Sequence, residues 1–207
     1  MTIPEQYPAE PLVETEVDPD PLVQFGRWFT RAREVVRLPE AAALATADER
    51  GRPSVRMVLL RGFDEKGFVF HTDYGSRKAG ELLANPVGAL LLHWDALGRQ
   101  IRIEGPVVKT TAEESDEYFG SRPRERQIAA HASEQSRPVE SRAVLDRSVA
   151  RVRADFEGRE VSRPESWGGF RLEPESFEYW QGHDDRLHDR IRYSRSGRGW
   201  SIERLQP

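Results

Sequence analysis

Apolar residues recur at helical spacing near the start of the chain, and the period then changes to that of strands. Leu22, Phe25, Trp28 and Phe29 follow Asp20-Pro21, an N-cap with proline at the first helical position, and predict a helix to about Arg37. Ala41 to Thr46, Ser54 to Leu60 and Gly67 to Thr72 are separated by the turns Asp48-Glu-Arg-Gly51 and Asp64-Glu-Lys-Gly67, a meander signature. Ser76 to Ala84 predicts a short helix stopped by Asn85-Pro86. Val87 to Trp94 and Gln100 to Lys109 are two more strands around Leu97-Gly98. Helical segments follow at Thr111 to Phe119, Arg124 to Ser133 and Pro138 to Glu157, the last with the apolar stripe Leu145, Val149, Val152 and Phe156. Gly169 to Gln181, Leu187 to Ser194 and Gly199 to Arg204 complete the strands. Seven or eight strands with inserted helices predict a mainly β fold, an antiparallel barrel with peripheral helices. Residues 1–20, rich in Pro, Glu and Asp, lack any period and predict a mobile arm, leaving residues 21–207 as a single domain.

Length agrees with that division, since 207 residues suit one large domain. The absence of cysteine removes disulfides, thiolate metal sites and a cysteine nucleophile, and is compatible with a reducing cytoplasm. No signal-peptide pattern opens the chain, and the longest apolar run, Val87 to Leu92, is too short to span a bilayer. A soluble, cytoplasmic protein without membrane contact is therefore expected. The net charge of −4 argues against nucleic-acid binding. Of 31 basic residues only Lys66, Lys78 and Lys109 are lysines, so arginines matter where their position suggests a forked anion contact.

Four constellations carry candidate chemistry. Gly75-Ser-Arg-Lys78 puts Arg77 and Lys78 in the first turn of a helix, where the dipole disfavours cations; a phosphate bound there would resolve the conflict. Arg56-Met-Val-Leu-Leu-Arg61 places two arginines of opposite parity on one strand. Tyr118-Phe-Gly-Ser-Arg-Pro-Arg-Glu-Arg126 sets three arginines around a helix break, and Gln135-Ser136 follow the next helix. In Trp180-Gln-Gly-His-Asp-Asp-Arg-Leu-His-Asp-Arg190, residues Trp180, Arg186, His188 and Arg190 share parity. In an extended strand they would line one face toward an anionic, aromatic ligand. A metal is not expected among His183, Asp184, Asp185, His188 and Asp189, because Arg186 and Arg190 would repel a cation.

Together these residues resemble the pyridoxamine 5′-phosphate oxidase family from about Leu22 to Pro207. The resemblance rests on Arg56 to Arg61, Gly67-Phe-Val-Phe-His-Thr-Asp-Tyr-Gly-Ser-Arg-Lys78, Arg99-Gln100, Tyr118-Phe-Gly-Ser-Arg-Pro123, Ala132-Ser-Glu-Gln-Ser136, Ser166-Trp-Gly-Gly-Phe-Arg171 and Trp180 to Arg190. It implies a split β-barrel homodimer with FMN at the subunit interface. It further implies FMN contacts from Arg56, Met57, Arg61, His71, Thr72, Arg77, Lys78, Gln100, Gln135, Ser136, Trp180 and Arg190. Substrate contacts are implied for Arg61, Tyr118, Arg122, Arg126, Arg186 and His188, with Arg186 and His188 as the catalytic pair. The implied reaction oxidises pyridoxamine or pyridoxine 5′-phosphate to pyridoxal 5′-phosphate with O2, giving H2O2, and ammonia from the amine. The chain departs from the family pattern at Arg61, usually lysine, at Arg126, usually serine, at His71, usually tyrosine, and at Ala129-Ala-His131, usually Gly-Ala-Trp. These departures keep two alternatives open: a flavin oxidase of the same fold with another substrate, as in phenazine pathways, and a non-catalytic FMN- or pyridoxal phosphate-binding protein.

Overall fold

The computed structural model describes residues 10–207, and most of its elements fall where the alternation or periodicity just outlined places them. Helix α1 (Pro21–Val35) starts where Asp20 accepts a side-chain hydrogen bond from the Leu22 N–H. Strands β1 (Ala41–Ala47), β2 (Pro53–Asp64) and β3 (Gly67–Asp73) form the meander, followed by α2 (Arg77–Ala84), β4 (Val87–Trp94) and β5 (Arg99–Lys109). Helices α3 (Ala112–Ser121), α4 (Arg124–Ala132) and α5 (Arg142–Asp155) precede β6 (Trp167–Leu172), β7 (Ser176–Gln181), β8 (Asp189–Ser196) and β9 (Gly199–Arg204).

Six strands close on themselves in the order β4-β1-β2-β3-β6-β5, with β5 pairing back to β4. All these pairs are antiparallel, so the expected antiparallel barrel is present. β7, β8 and β9 extend the sheet from the other edge of β5. Inward residues of the barrel are apolar and buried: Leu44, Phe68, Phe70, Leu90, Leu92, Ile101 and Ile103. α1 adds Phe25, fully buried and edge-on to Phe63 and Phe68 at 4.7 and 4.8 Å. A second apolar cluster, Phe119, Ile128, Val152, Val161 and Trp167, ties α3, α4 and α5 to the start of β6.

Four expectations are corrected. Nine strands are present among the described residues, because the strand expected over Gly169 to Gln181 is two. Between the pairs Val107–Leu172 and Glu104–Ser176, three residues (Glu173, Pro174, Glu175) face two (Gly105, Pro106). That surplus lets β6 turn away to β3, and Gly105 is required there, since a Cβ would lie 2.0 Å from the Glu173 carbonyl oxygen. Second, α5 begins at Arg142, capped by Ser141, and not at Pro138. Third, Trp180 to Arg190 is no single strand: β7 ends at Gln181, β8 starts at Asp189, and residues 182–188 form the loop between them. Fourth, the second half of the expected arm is docked. Leu12 and Val17 are buried in the main core, and Glu10 pairs with Arg99 at 2.6 Å. Residues 1–9 lie outside the described residues.

Candidate functional site

The first group sits where α2 caps one end of the barrel. Glu81, buried on α2, gathers polar side chains of β1, β2 and its own helix: it accepts from Ser54 Oγ at 2.6 Å, Arg56 Nη2 at 2.9 Å, Arg77 Nε at 2.8 Å and Thr46 Oγ1. Burial alone would raise its pKa, but the donors from Ser54, Thr46, Arg77 and Arg56 outweigh burial and hold the carboxyl at about 2. Arg77 thus has a carboxylate partner one turn along its helix. Lys78 does not. It is only 8% exposed, and its Nζ donates to Thr72 Oγ1 at 3.0 Å and Gln135 Oε1 at 2.8 Å, with Ser76 Oγ at 3.4 Å. Among the described residues no carboxylate reaches it within ion-pair distance. Burial, then repulsion from Arg56, lowers its proton affinity, and Asp73 opposes both. Ser76, the N-cap of α2, makes no side-chain cap bond, so the first N–H groups of the helix open beside this cation.

The second group lines an adjoining cavity of about 380 Å³, to which Thr72 and Gln135 also contribute. Arg61, at the β-bulge of β2, Arg122, between α3 and α4, and Arg126, in the first turn of α4, all face it. No ion pair joins these three to a carboxylate among the described residues, and Arg122 Nη1 is buried without a partner. The rings of Tyr118, His71 and Trp167 lie nearly parallel in one cluster, with His71 4.1 Å from Tyr118 and 5.2 Å from Trp167, and Tyr118 6.1 Å from Trp167. Arg122 lies over the Trp167 ring at 4.4 Å, and Arg61 lies 6.0 Å from the Tyr118 ring. Both nitrogens of His71 are buried and unpartnered. Burial, then Arg122 and Arg61, push its pKa down to about 4, against a smaller pull from Glu114, so the ring is neutral near pH 7.

The third group lies on the outer face of the extended sheet. Gln100, Trp180 and Arg190 are consecutive cross-strand partners on β5, β7 and β8. Arg190 Nε donates to Glu178 at 2.8 Å, and the Trp180 ring is 4.6 Å from that of His188. Parity along one extended strand is therefore not what unites this set; pairing across a hairpin is. Gln100 and Trp180 border a separate cavity of about 320 Å³ with Ala43, Ala45, Val55 and Leu91. The two cavities share no lining residue. Met57, one of the expected cofactor contacts, is 63% exposed on the outer face of β2 beside Val55 and Leu59. Alanines 41, 43, 45 and 47 continue that face on β1, alternating with the buried Ala42, Leu44 and Thr46.

The structure thus brings together Arg56, Thr72, Arg77, Lys78 and Gln135, and beside them Arg61, His71, Tyr118, Arg122 and Arg126. It does not bring Gln100, Trp180 and Arg190 into that cavity. Ser136 and Arg186 share another property: they are the two non-glycine residues at positive φ among the described residues, at 71° and 66°. Such backbone strain concentrates at functional sites. The sequence reading omitted Glu81, Ser54, Thr46 and Trp167. Glu81 was legible as the i+4 partner of Arg77; Trp167 stands in a quoted motif but gave no sign of stacking on His71. Among the described residues no helix is long and apolar enough to cross a membrane.

Comparison with known proteins gives consistent findings. Residues 30–155 match the family described as pyridoxamine 5′-phosphate oxidase, and residues 167–207 match the pyridoxine 5′-phosphate oxidase C-terminal dimerisation region. A Rubrobacter xylanophilus protein named pyridoxine/pyridoxamine 5′-phosphate oxidase is 54% identical over 203 residues, covering 98% of this chain and 94% of its own. A Gloeothece citriformis protein of the same name is 49% identical, with 97% and 95% covered. Among solved structures, PhzG from Burkholderia lata, in complex with tetrahydrophenazine-1-carboxylic acid, superposes with a TM-score of 0.89 at 35% identity, covering 94% of this chain and 96% of its own. A pyridoxamine 5′-phosphate oxidase-related, FMN-binding protein from Nostoc punctiforme shares the fold, with a TM-score of 0.73 at 15% identity over 92% of this chain and all of its own.

Proposed function

Because the chain belongs to the pyridoxamine 5′-phosphate oxidase family, we propose that it is an FMN-dependent oxidase. It converts pyridoxamine or pyridoxine 5′-phosphate to pyridoxal 5′-phosphate, with O2 as acceptor and H2O2 as product. The observation that carries this reading is Lys78, a buried cation without a carboxylate beside the uncapped start of α2. A phosphate there receives backbone N–H groups and the ammonium together, with Arg56 and Arg77 alongside. The donor set therefore fits the phosphate of FMN. When bound, FMN supplies the hydride acceptor.

The protein's part is binding and orientation. Arg61, Arg122, Arg126 and Tyr118 hold the substrate phosphate, and the unpartnered Arg122 Nη1 supports that assignment. Removing a hydride from the substrate's C4′ and a proton from the hydroxyl it carries leaves an aldehyde from the alcohol. From the amine the corresponding loss leaves an imine, which water opens to aldehyde and ammonia. Arg186 lies against the pyridine ring, and His188 meets the reacting end.

Gln100, Trp180, Arg186, His188 and Arg190 act from a second protomer. The apolar outer face of β1 and β2, with Val55 69% and Met57 63% exposed, and the match to a dimerisation region support this homodimer. Residues from Leu12 onward act as one FMN-binding domain. The test is an absorbance spectrum of the purified protein, followed by anaerobic addition of pyridoxamine 5′-phosphate. A flavin band that bleaches on addition is expected. A flavin-loaded protein that no pyridoxine or pyridoxamine phosphate bleaches overturns the reading. A second reading, oxidation of an aromatic carboxylate, has one observation in its favour: the likeness to PhzG joined to a cavity with three arginines and no paired carboxylate. A preference for such carboxylates in steady-state turnover would select it.

A further inference from the structure

His183 and Asp189 flank the loop that carries Arg186 and His188, and neither has a place in the cofactor or substrate contacts above. Asp189 opens β8, and its carboxylate is shared three ways. Oδ2 accepts from the Leu12 backbone N–H at 2.9 Å and faces His183 Nε2 at 2.6 Å, while Oδ1 takes Arg204 Nη1. Burial would raise this carboxyl; Leu12, His183 and Arg204 outweigh it and hold the group below its ordinary value. An ionised carboxylate only accepts, so His183 Nε2 is the donor.

His183 then presents its own backbone N–H to His188 Nδ1 at 3.1 Å. A backbone N–H only donates, so Nδ1 of His188 must be the accepting nitrogen, and the ring proton is on Nε2. The segment before α1 closes this arrangement from outside. Arg204 Nη2 donates to the Leu12 carbonyl at 2.7 Å and also pairs with Glu14.

Building on the role given to His188 above, we propose that His183 and Asp189 are positioning residues that fix His188 as the Nε2–H tautomer. His188 therefore serves the substrate as a hydrogen-bond donor and not as a base at Nε2. The Leu12–Glu14 strap, through Asp189, sets the register of the loop that presents it.

The test is a ¹⁵N spectrum of the FMN-loaded protein labelled at its five histidines, with His188→Asn identifying the signals of His188. The expected result is a protonated Nε2 and an accepting Nδ1. His183→Ala and Asp189→Asn are expected to give mixed tautomers and a kcat lowered on the order of tenfold. KM and flavin affinity should change less than twofold. His183→Gln, which keeps a donor of similar reach to Asp189, is expected to restore most of the rate. A proton on Nδ1 of His188 in the wild-type protein overturns the inference. So do variants that keep both the wild-type tautomer and the wild-type kcat. Should either variant fail to fold, seen as lost flavin binding and a collapsed melting transition, the wild-type spectrum alone decides. Because the spectrum needs no turnover, an enzyme inactive on pyridoxine and pyridoxamine phosphates would overturn the oxidase reading separately.

Discussion

Two arginine-rich regions lie side by side and differ in what balances them. Around α2, Arg56 and Arg77 converge on one buried carboxylate, Glu81, and only Lys78 is left without one. In the neighbouring cavity, Arg61, Arg122 and Arg126 have no carboxylate partner among the described residues, and His71 and Arg122 carry buried polar atoms with nothing to bond. In the first region the Glu81 network is already balanced and holds the barrel end together, with Lys78 the one cation left for an anion. The second is unfinished, and unsatisfied buried donors are costly unless a ligand completes them. Composition alone cannot separate the two, since both are arginines around strands and helix starts.

The largest expected effect breaks the balanced network. Glu81→Gln leaves Arg56 and Arg77 without a countercharge, and a cost of about 3 kcal/mol in denaturant unfolding is expected at pH 7. Because Glu81 titrates at about 2 instead of 4.5, its contribution is complete above pH 4.5 and is lost as pH falls toward 2. The variant should lack that component of the slope across the window, while the part due to other depressed carboxylates such as Asp189 and Glu114 remains. Next, Lys78→Gln keeps a hydrogen-bonding side chain but removes the unbalanced charge. Flavin fluorescence titration should show affinity weakened about 30-fold, or about 2 kcal/mol, with stability of the flavin-free protein unchanged or raised. Arg122→Met should raise KM for the phosphorylated substrate about tenfold and leave kcat within twofold; a kcat loss without a KM change would remove Arg122 from phosphate binding.

The smallest effect concerns His71. Replacing the imidazole by phenylalanine removes two unpartnered nitrogens while keeping an aromatic ring packed against Tyr118 and Trp167. A gain of about 1 kcal/mol is expected without ligand. The ordinary value for histidine is 6.5 and that of His71 is about 4. The unfolded chain therefore binds the extra proton, and the wild-type protein loses stability as pH falls from 6.5 to 4. The midpoint of urea unfolding for His71→Phe should lack that slope.

The barrel was legible chiefly through its turns. Ala42, Leu44 and Thr46 point inward while four alanines point out, but that segment is apolar nearly throughout, and the turns at Asp48 to Gly51 and Asp64 to Gly67 mark the meander. The proposed phosphate cradle was legible for a different reason: Arg77 and Lys78 violate a local rule at a helix start, and such conflicts mark candidate sites. The hairpin at 182–188 was not legible from parity. Residues of like parity share a face only while the chain stays extended, and the positive φ of Arg186 ends that condition. Nor could alternation reveal that β6 and β7 share an edge of β5, because the register surplus at Glu173 to Glu175 exists only relative to the partner strand. The role of Glu81 was within reach, but the joint convergence of Thr46, Ser54 and Arg56 on it depends on β1 and β2 being paired.

The closure of the barrel by β6 has a consequence for how the protein is made. β3 ends at Asp73, yet the strand that covers its far edge begins at Trp167, 94 positions later (167 − 73). At ordinary elongation rates of about 5–20 residues per second, the nascent chain carries β3 with that edge open for roughly 5–20 s. Exposed edges of this kind invite pairing with other chains. Synthesis therefore passes through an unclosed sheet that must stay shielded until the last fifth of the chain emerges, and chains truncated before Trp167 should aggregate where full-length chains fold.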